Sequence, residues 1–62
     1  MIFYHIFTDN QDEWESDYKR ALRIYNRFVK EYGNARLYEE ERDNQDELIT
    51  EECIESYGVY PS

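Results

Sequence analysis

The chain has 62 residues with 15 acidic and seven basic side chains, and its formal net charge at neutral pH is −8. A chain this short buries only about 60% of the surface that its unfolded form exposes, so we expect one small domain over residues 1–62. Its one cysteine excludes an internal disulfide, and with one histidine it lacks the ligand set of a zinc site. We therefore expect neither a metal nor another cofactor.

The first predicted element is a strand at residues 2–7, whose sequence IFYHIF is β-branched and aromatic on both faces. A helix is predicted to follow at residues 11–32. Either Asn10 or Asp9 can cap it, and Glu13 lies at the capping-box spacing from Asn10. Apolar side chains then recur every three or four residues. Gly33 suits the left-handed position that ends a helix.

The opposite face of the predicted helix carries a basic stripe, formed by Arg20, Arg23, Arg27 and Lys30. This spacing of three, four and three residues is typical of a solvated outer face. It also fits a docking surface for an acidic partner, or for the acidic half of a second copy. Both interpretations are open at this point.

The pentapeptide DNQDE occurs twice, at residues 9–13 and 43–47. The second copy either turns a hairpin between strands at 36–42 and 48–54, or caps a helix over 48–57. We favour the hairpin because two strands and one helix bury too little surface, and a third strand gives the long helix a sheet to cover.

These elements predict an α+β domain in the order strand–helix–strand–strand, with one long helix packed on a small, mainly antiparallel sheet. In the alternative, the last element is helical and the order is strand–helix–strand–helix. The apolar run at residues 1–7 is too short for a membrane span and lacks the basic start of a signal peptide, so we expect a cytoplasmic protein.

The charge is unevenly distributed between the two halves of the chain. Residues 1–34 hold six acids and five bases, which leaves −1, whereas residues 35–62 hold nine acids and two bases, which leaves −7. Such asymmetry concerns partners rather than fold. The candidate partner-binding acids are Glu39, Glu40, Glu41, Asp43, Asp46, Glu47, Glu51, Glu52 and Glu55.

No catalytic signature accompanies these acids. The paired glutamates lie in surface-like contexts, and Cys53 has no neighbour that would activate a thiol. We therefore expect a protein that is not an enzyme. Direct binding of nucleic acid is disfavoured by the sign of the charge. Carboxylates along a hairpin can instead imitate the phosphates of DNA, with Tyr38, Tyr57 and Tyr60 as anchors beside them.

In size, charge, scarcity of cysteine and architecture, the whole chain resembles the small acidic inhibitors of phages and mobile elements, the anti-CRISPR and anti-restriction proteins. The resemblance carries no residue motif. It implies an inhibitor in the host cytoplasm that acts as a DNA mimic and blocks a basic surface of a defence or nucleic-acid-processing complex, with no membrane partner. Two alternatives are a structural or adaptor subunit that self-associates through Phe3, Phe7, Trp14 and the helix, and the antitoxin half of a paired system.

Overall fold

The computed structural model describes residues 1–58. These residues form strand β1 (Ile2–Phe7), strand β2 (Asp12–Glu15), helix α1 (Tyr18–Tyr32), strand β3 (Ala35–Arg42) and strand β4 (Leu48–Tyr57). The strands make one antiparallel sheet in the order β2-β1-β3-β4, and α1 packs on one of its faces. The α+β class is as predicted. The predicted order strand–helix–strand–strand is wrong, because a further strand precedes the helix.

The extra strand arises because the first DNQDE turns a hairpin instead of starting a helix. β2 pairs with β1, with His5 opposite Trp14. The backbone N–H of Thr8 donates to the carbonyl of Gln11 at 2.8 Å, which closes the turn. The predicted helix at 11–32 is therefore wrong over its first seven residues, where backbone hydrogen bonds to β1 replace those of a helix.

The helix starts at Asp17, which has the extended backbone of an N-cap. Its carboxylate accepts a hydrogen bond from the backbone N–H of Arg20 at 3.0 Å. The predicted cap at Asn10 or Asp9 is therefore wrong, and the helix is capped by Asp17. At the other end Gly33 adopts φ 78° and donates its N–H to the carbonyl of Val29 at 2.9 Å, so the predicted C-cap is confirmed.

The second DNQDE also turns a hairpin, which joins β3 to β4. In its loop the carboxylate of Asp43 accepts hydrogen bonds from the backbone N–H groups of Gln45 at 2.8 Å and of Glu47 at 3.0 Å. Asp46 takes a left-handed conformation with φ 64°. The predicted hairpin is confirmed, and the alternative helix at 48–57 is wrong.

The core lies where α1 crosses β1 and β3. Ile6 and Leu37 face each other across these strands and are fully buried. They pack against a buried set from α1 and the start of β3: Ala21, Tyr25, Phe28 and Ala35. β4 lies beyond this core, since every residue in it except Ile54 is exposed. The position of α1 therefore leaves most of β4 uncovered, whereas Glu41 is the one exposed residue of β3.

No helix in the described part of the chain combines the length and the apolar character needed to span a membrane.

Candidate partner-binding surface

All nine acids predicted to bind a partner lie in the β3–β4 hairpin, which we define as residues 35–57. Because side chains alternate along a strand, the hairpin divides them between its two faces and its loop. We call the face on the side of α1 the helix-side face; by strand alternation and register it carries Glu39, Glu41, Glu52 and Glu55. Glu40 and Glu51 lie on the opposite face, and the loop holds Asp43, Asp46 and Glu47.

Two tyrosines on the helix side of the sheet have shifted pKa values. Tyr4 packs against Tyr18 of α1, with ring centroids 5.5 Å apart. Burial raises the pKa of the Tyr4 hydroxyl, and the nearby carboxylate of Glu39 raises it further. The pKa of Tyr25 is raised in the same way, first by burial and then by Glu55. The register agrees, since Glu39 is opposite Tyr4 and Glu55 is opposite the buried Leu37, so both glutamates lie on the helix side of the sheet.

The glutamates of the hairpin face one another across the strands. Glu39 is directly opposite Glu52, and Glu40 is directly opposite Glu51. Like charges at directly opposed positions destabilise a sheet. Among the described residues, the ion pairs made by acids past Gly33 all go to Arg42, and none goes to a basic side chain of α1. The helix-side glutamates thus form an unneutralised group.

Glu40 differs from its two neighbours in the run of three glutamates. It is 3% exposed. Its carboxylate accepts a hydrogen bond from the guanidinium of Arg42 at 2.8 Å, and Arg42 also donates to the carbonyl of Asp46 at 3.0 Å. Glu40 is therefore a buried carboxylate whose charge is compensated by Arg42. Two features of the sequence could have indicated this difference. Alternation along a strand puts Glu40 on the other face from Glu39 and Glu41, and Arg42, two residues later, lies on the same face as Glu40.

The sheet face opposite α1 is aromatic. We call it the aromatic face; it consists of Phe3, His5, Phe7, Trp14 and Tyr38. The His5 and Trp14 rings stack with centroids 4.1 Å apart and planes 3° apart, and Trp14 is 50% exposed. Beside them lies an open depression of about 330 Å³, lined by Phe3, Trp14, Arg42 and Asp46. The sequence placed Trp14 on the helix, whereas β2 carries it to this face.

Tyr38 and Tyr57, two of the three tyrosines predicted as anchors, lie on different faces of the hairpin. Tyr38 belongs to the aromatic face, where its ring lies 5.5 Å from that of Phe7. Tyr57 is opposite Ala35 at the far end of β4 from the loop, and it is exposed. Tyr60 lies outside the described residues. Of the predicted anchors, Tyr57 is the one that the described structure places on the helix-side face.

Comparison of the chain with protein-family models, curated proteins and solved structures found no match.

Proposed function

We propose that the protein is a non-catalytic acidic binding protein whose β3–β4 hairpin covers a basic surface of another protein and blocks it. The observation that carries this proposal is the directly opposed pair Glu39 and Glu52. A hairpin that only had to fold would be more stable with one of these positions neutral or basic. Lysines or arginines of a partner remove the repulsion on binding, so the energetic cost in the free protein becomes a gain in the complex.

The kind of surface follows from the spacing of the carboxylates. Glu39 and Glu41 are two residues apart on one strand, or roughly 6.6 Å, and the rows of β3 and β4 are about 4.8 Å apart. The rows are incomplete, because Glu41 is opposite Thr50 and Glu55 is opposite Leu37. The four glutamates therefore give roughly one charge per 5 Å, against one per ~1.7 Å in duplex DNA. This supports imitation of a short phosphate stretch, at about a third of the density of a duplex, in the nucleic-acid-binding groove of a defence or nucleic-acid-processing complex.

The test uses two variants with the same change of charge. Glu39→Gln with Glu52→Gln removes the opposed pair, while Asp9→Asn with Glu31→Gln removes two exposed charges elsewhere. Tagged protein is used to capture partners from a host lysate, with and without competing duplex DNA. We expect capture that DNA competes away, that weakens steeply with salt, and that the hairpin variant loses and the control keeps. Equal capture by both variants would refute the proposal.

The aromatic face supports a second candidate, self-association as a structural or adaptor subunit. Its specific support is the half-exposed Trp14 stacked on His5, since aromatic side chains of this kind are enriched at interfaces. Aromatic association persists in high salt, unlike binding by the acids. Sedimentation of wild type and of Trp14→Ala in 1 M salt separates the two candidates: a dimer lost in the variant favours self-association, and a monomer in both rules it out.

A further inference from the structure

The outer edge of β4 has no strand beside it in the described part of the chain. β4 is the last strand in the sheet order, and it pairs with β3 on its inner side alone. At ten residues it is the longest strand of the sheet. Alternate residues of an edge strand point their backbone N–H and C=O groups away from the sheet, and these groups can pair with an added strand.

The side chains of β4 form an acidic middle between apolar ends. Glu51 and Glu52 occupy the middle of the strand. At its ends Ile49 and Tyr57 are 55% and 56% exposed. Charge along an edge is a common protection against aggregation. Exposed apolar residues at both ends of the same edge are not explained by that protection, and they are typical of a surface that another chain covers.

A second copy of the chain is a poor occupant of this edge. Symmetric antiparallel pairing centred on the middle of β4 would bring Glu51 and Glu52 opposite or next to the same glutamates of the other copy. Like charges at such positions oppose pairing, and each copy carries a net charge of −8. The charge of β4 therefore disfavours pairing with a second copy of β4 and favours pairing with a strand of opposite charge.

We propose that the outer edge of β4 receives an extended basic segment of the partner, which joins the sheet as a fifth strand. Lysine or arginine side chains of this segment lie beside Glu52 and Glu55 on the helix-side face, and its apolar ends cover Ile49 and Tyr57. Backbone hydrogen bonds hold the segment, and the alternating side chains select it by charge. This inference rests on the proposed function. It specifies that the basic surface of the partner includes an extended segment that pairs with β4.

The test uses synthetic peptides as probes of the intact protein. The first is a ten-residue peptide of alternating lysine and valine with a leucine at each end. Two further peptides have the same sequence but carry N-methyl groups on one or the other alternate set of backbone amides, which removes the donors on one edge. Affinity is measured by calorimetry, and the paired residues are located by amide hydrogen exchange of the protein.

We expect the unmodified peptide to bind and to slow exchange along β4. One of the two methylated peptides should bind about tenfold or more weakly, because several backbone hydrogen bonds are lost together. Equal affinity of all three peptides, protection at β2 instead of β4, or no binding overturns the inference. If all three peptides bind equally, the binding is sensitive to salt, and Glu39→Gln with Glu52→Gln abolishes it, the inference fails but the proposed function stands. If no peptide binds, the inference fails, and the lysate experiment decides the proposed function.

Discussion

Glu39 and Glu52 lie directly opposite each other on the helix-side face of the β3–β4 hairpin, and neither has a basic partner among the described residues. Conversion of one member into a lysine turns a repulsive cross-strand pair into an attractive one. We expect Glu52→Lys to raise the free energy of unfolding by about 0.5–1 kcal/mol in low salt. Urea denaturation measures this change, which should shrink in 1 M salt.

The matched control for this substitution is Asp9→Lys. It changes the net charge by the same two units, at an exposed position in the β1–β2 turn. A smaller gain than that of Glu52→Lys is expected, because no strand places an acid opposite residue 9. Equal gains in the two variants would show that the total charge of the protein matters and the opposed pair does not.

The buried carboxylate of Glu40 depends on Arg42 for its compensation. Arg42→Ala leaves this carboxylate without its ion-pair partner, at a position 3% exposed. We expect a loss of about 3 kcal/mol, at the lower end for a broken buried pair because Arg42 itself is partly exposed. Thermal unfolding with Glu40→Gln and the double variant completes a double-mutant cycle. If the losses of the two single variants are additive, the pair is not coupled.

The start of the helix can be tested at two residues. Asp17→Ala removes the carboxylate that accepts from the N–H of Arg20, and we expect a loss of about 1 kcal/mol. Asn10→Ala, at the position that the sequence favoured as the cap, should cost less, since Asn10 lies in the β1–β2 turn. Chemical denaturation of both variants decides between these caps, and a larger loss at Asn10 would contradict the structure.

Gly33 and Gly58 both have positive φ angles, 78° and 84°, but differ in their surroundings. A Cβ at Gly33 meets nothing within 4 Å, whereas one at Gly58 would lie 2.5 Å from the carbonyl oxygen of Gly33. We expect Gly33→Ala to cost about 1 kcal/mol, the conformational penalty alone. Gly58→Ala should cost more, because the backbone must also move. Thermal unfolding of the two variants tests this order, which equal losses would contradict.

The loop carboxylate of Asp43 predicts a dependence of stability on acid. Hydrogen bonds from the backbone N–H groups of Glu47 and then of Gln45 lower its pKa below the usual 3.8. Its contribution is therefore complete above this usual value and is lost as the pH falls through the lower folded pKa. The gap in Tm between wild type and Asp43→Ala should be constant near neutral pH and close below about pH 4.

Asp9 supplies the control for this measurement, since it holds the same place in the first DNQDE as Asp43 does in the second. Asp9→Ala should shift Tm by an amount that changes less between pH 6 and pH 3. A gap for Asp43→Ala that stays constant over this range would show that its hydrogen bonds do not depend on the charge of the carboxylate.

Part of the fold could be read from local patterns. The strand at 2–7, the helix end at Gly33 and the second hairpin each follow from signals within a few residues of one another. The segment DEWE at residues 12–15 was ambiguous, because its tryptophan fits both the helical spacing that follows and the alternation of a strand. The segment is a strand because it pairs with β1, and this pairing cannot be predicted from the local sequence pattern.

The candidate site divides in the same way. The concentration of acids past Gly33 is evident in the sequence, but Glu39, Glu40 and Glu41 look alike there. Their roles differ because alternation turns Glu40 to the face opposite α1, where Arg42 lies within 2.8 Å of it, and because register sets Glu39 against Glu52.

By itself the sequence determined the composition of this protein's surface, its charge asymmetry and the elements with strong local signals, since these depend on residues close together along the chain. The tertiary structure alone decided the second strand before α1, the burial of Glu40, the opposition of the glutamates and the place of β4 at the edge of the described sheet. Each of these depends on which distant segments pair and in what register, and that choice is made by the energy of the whole sheet and its core.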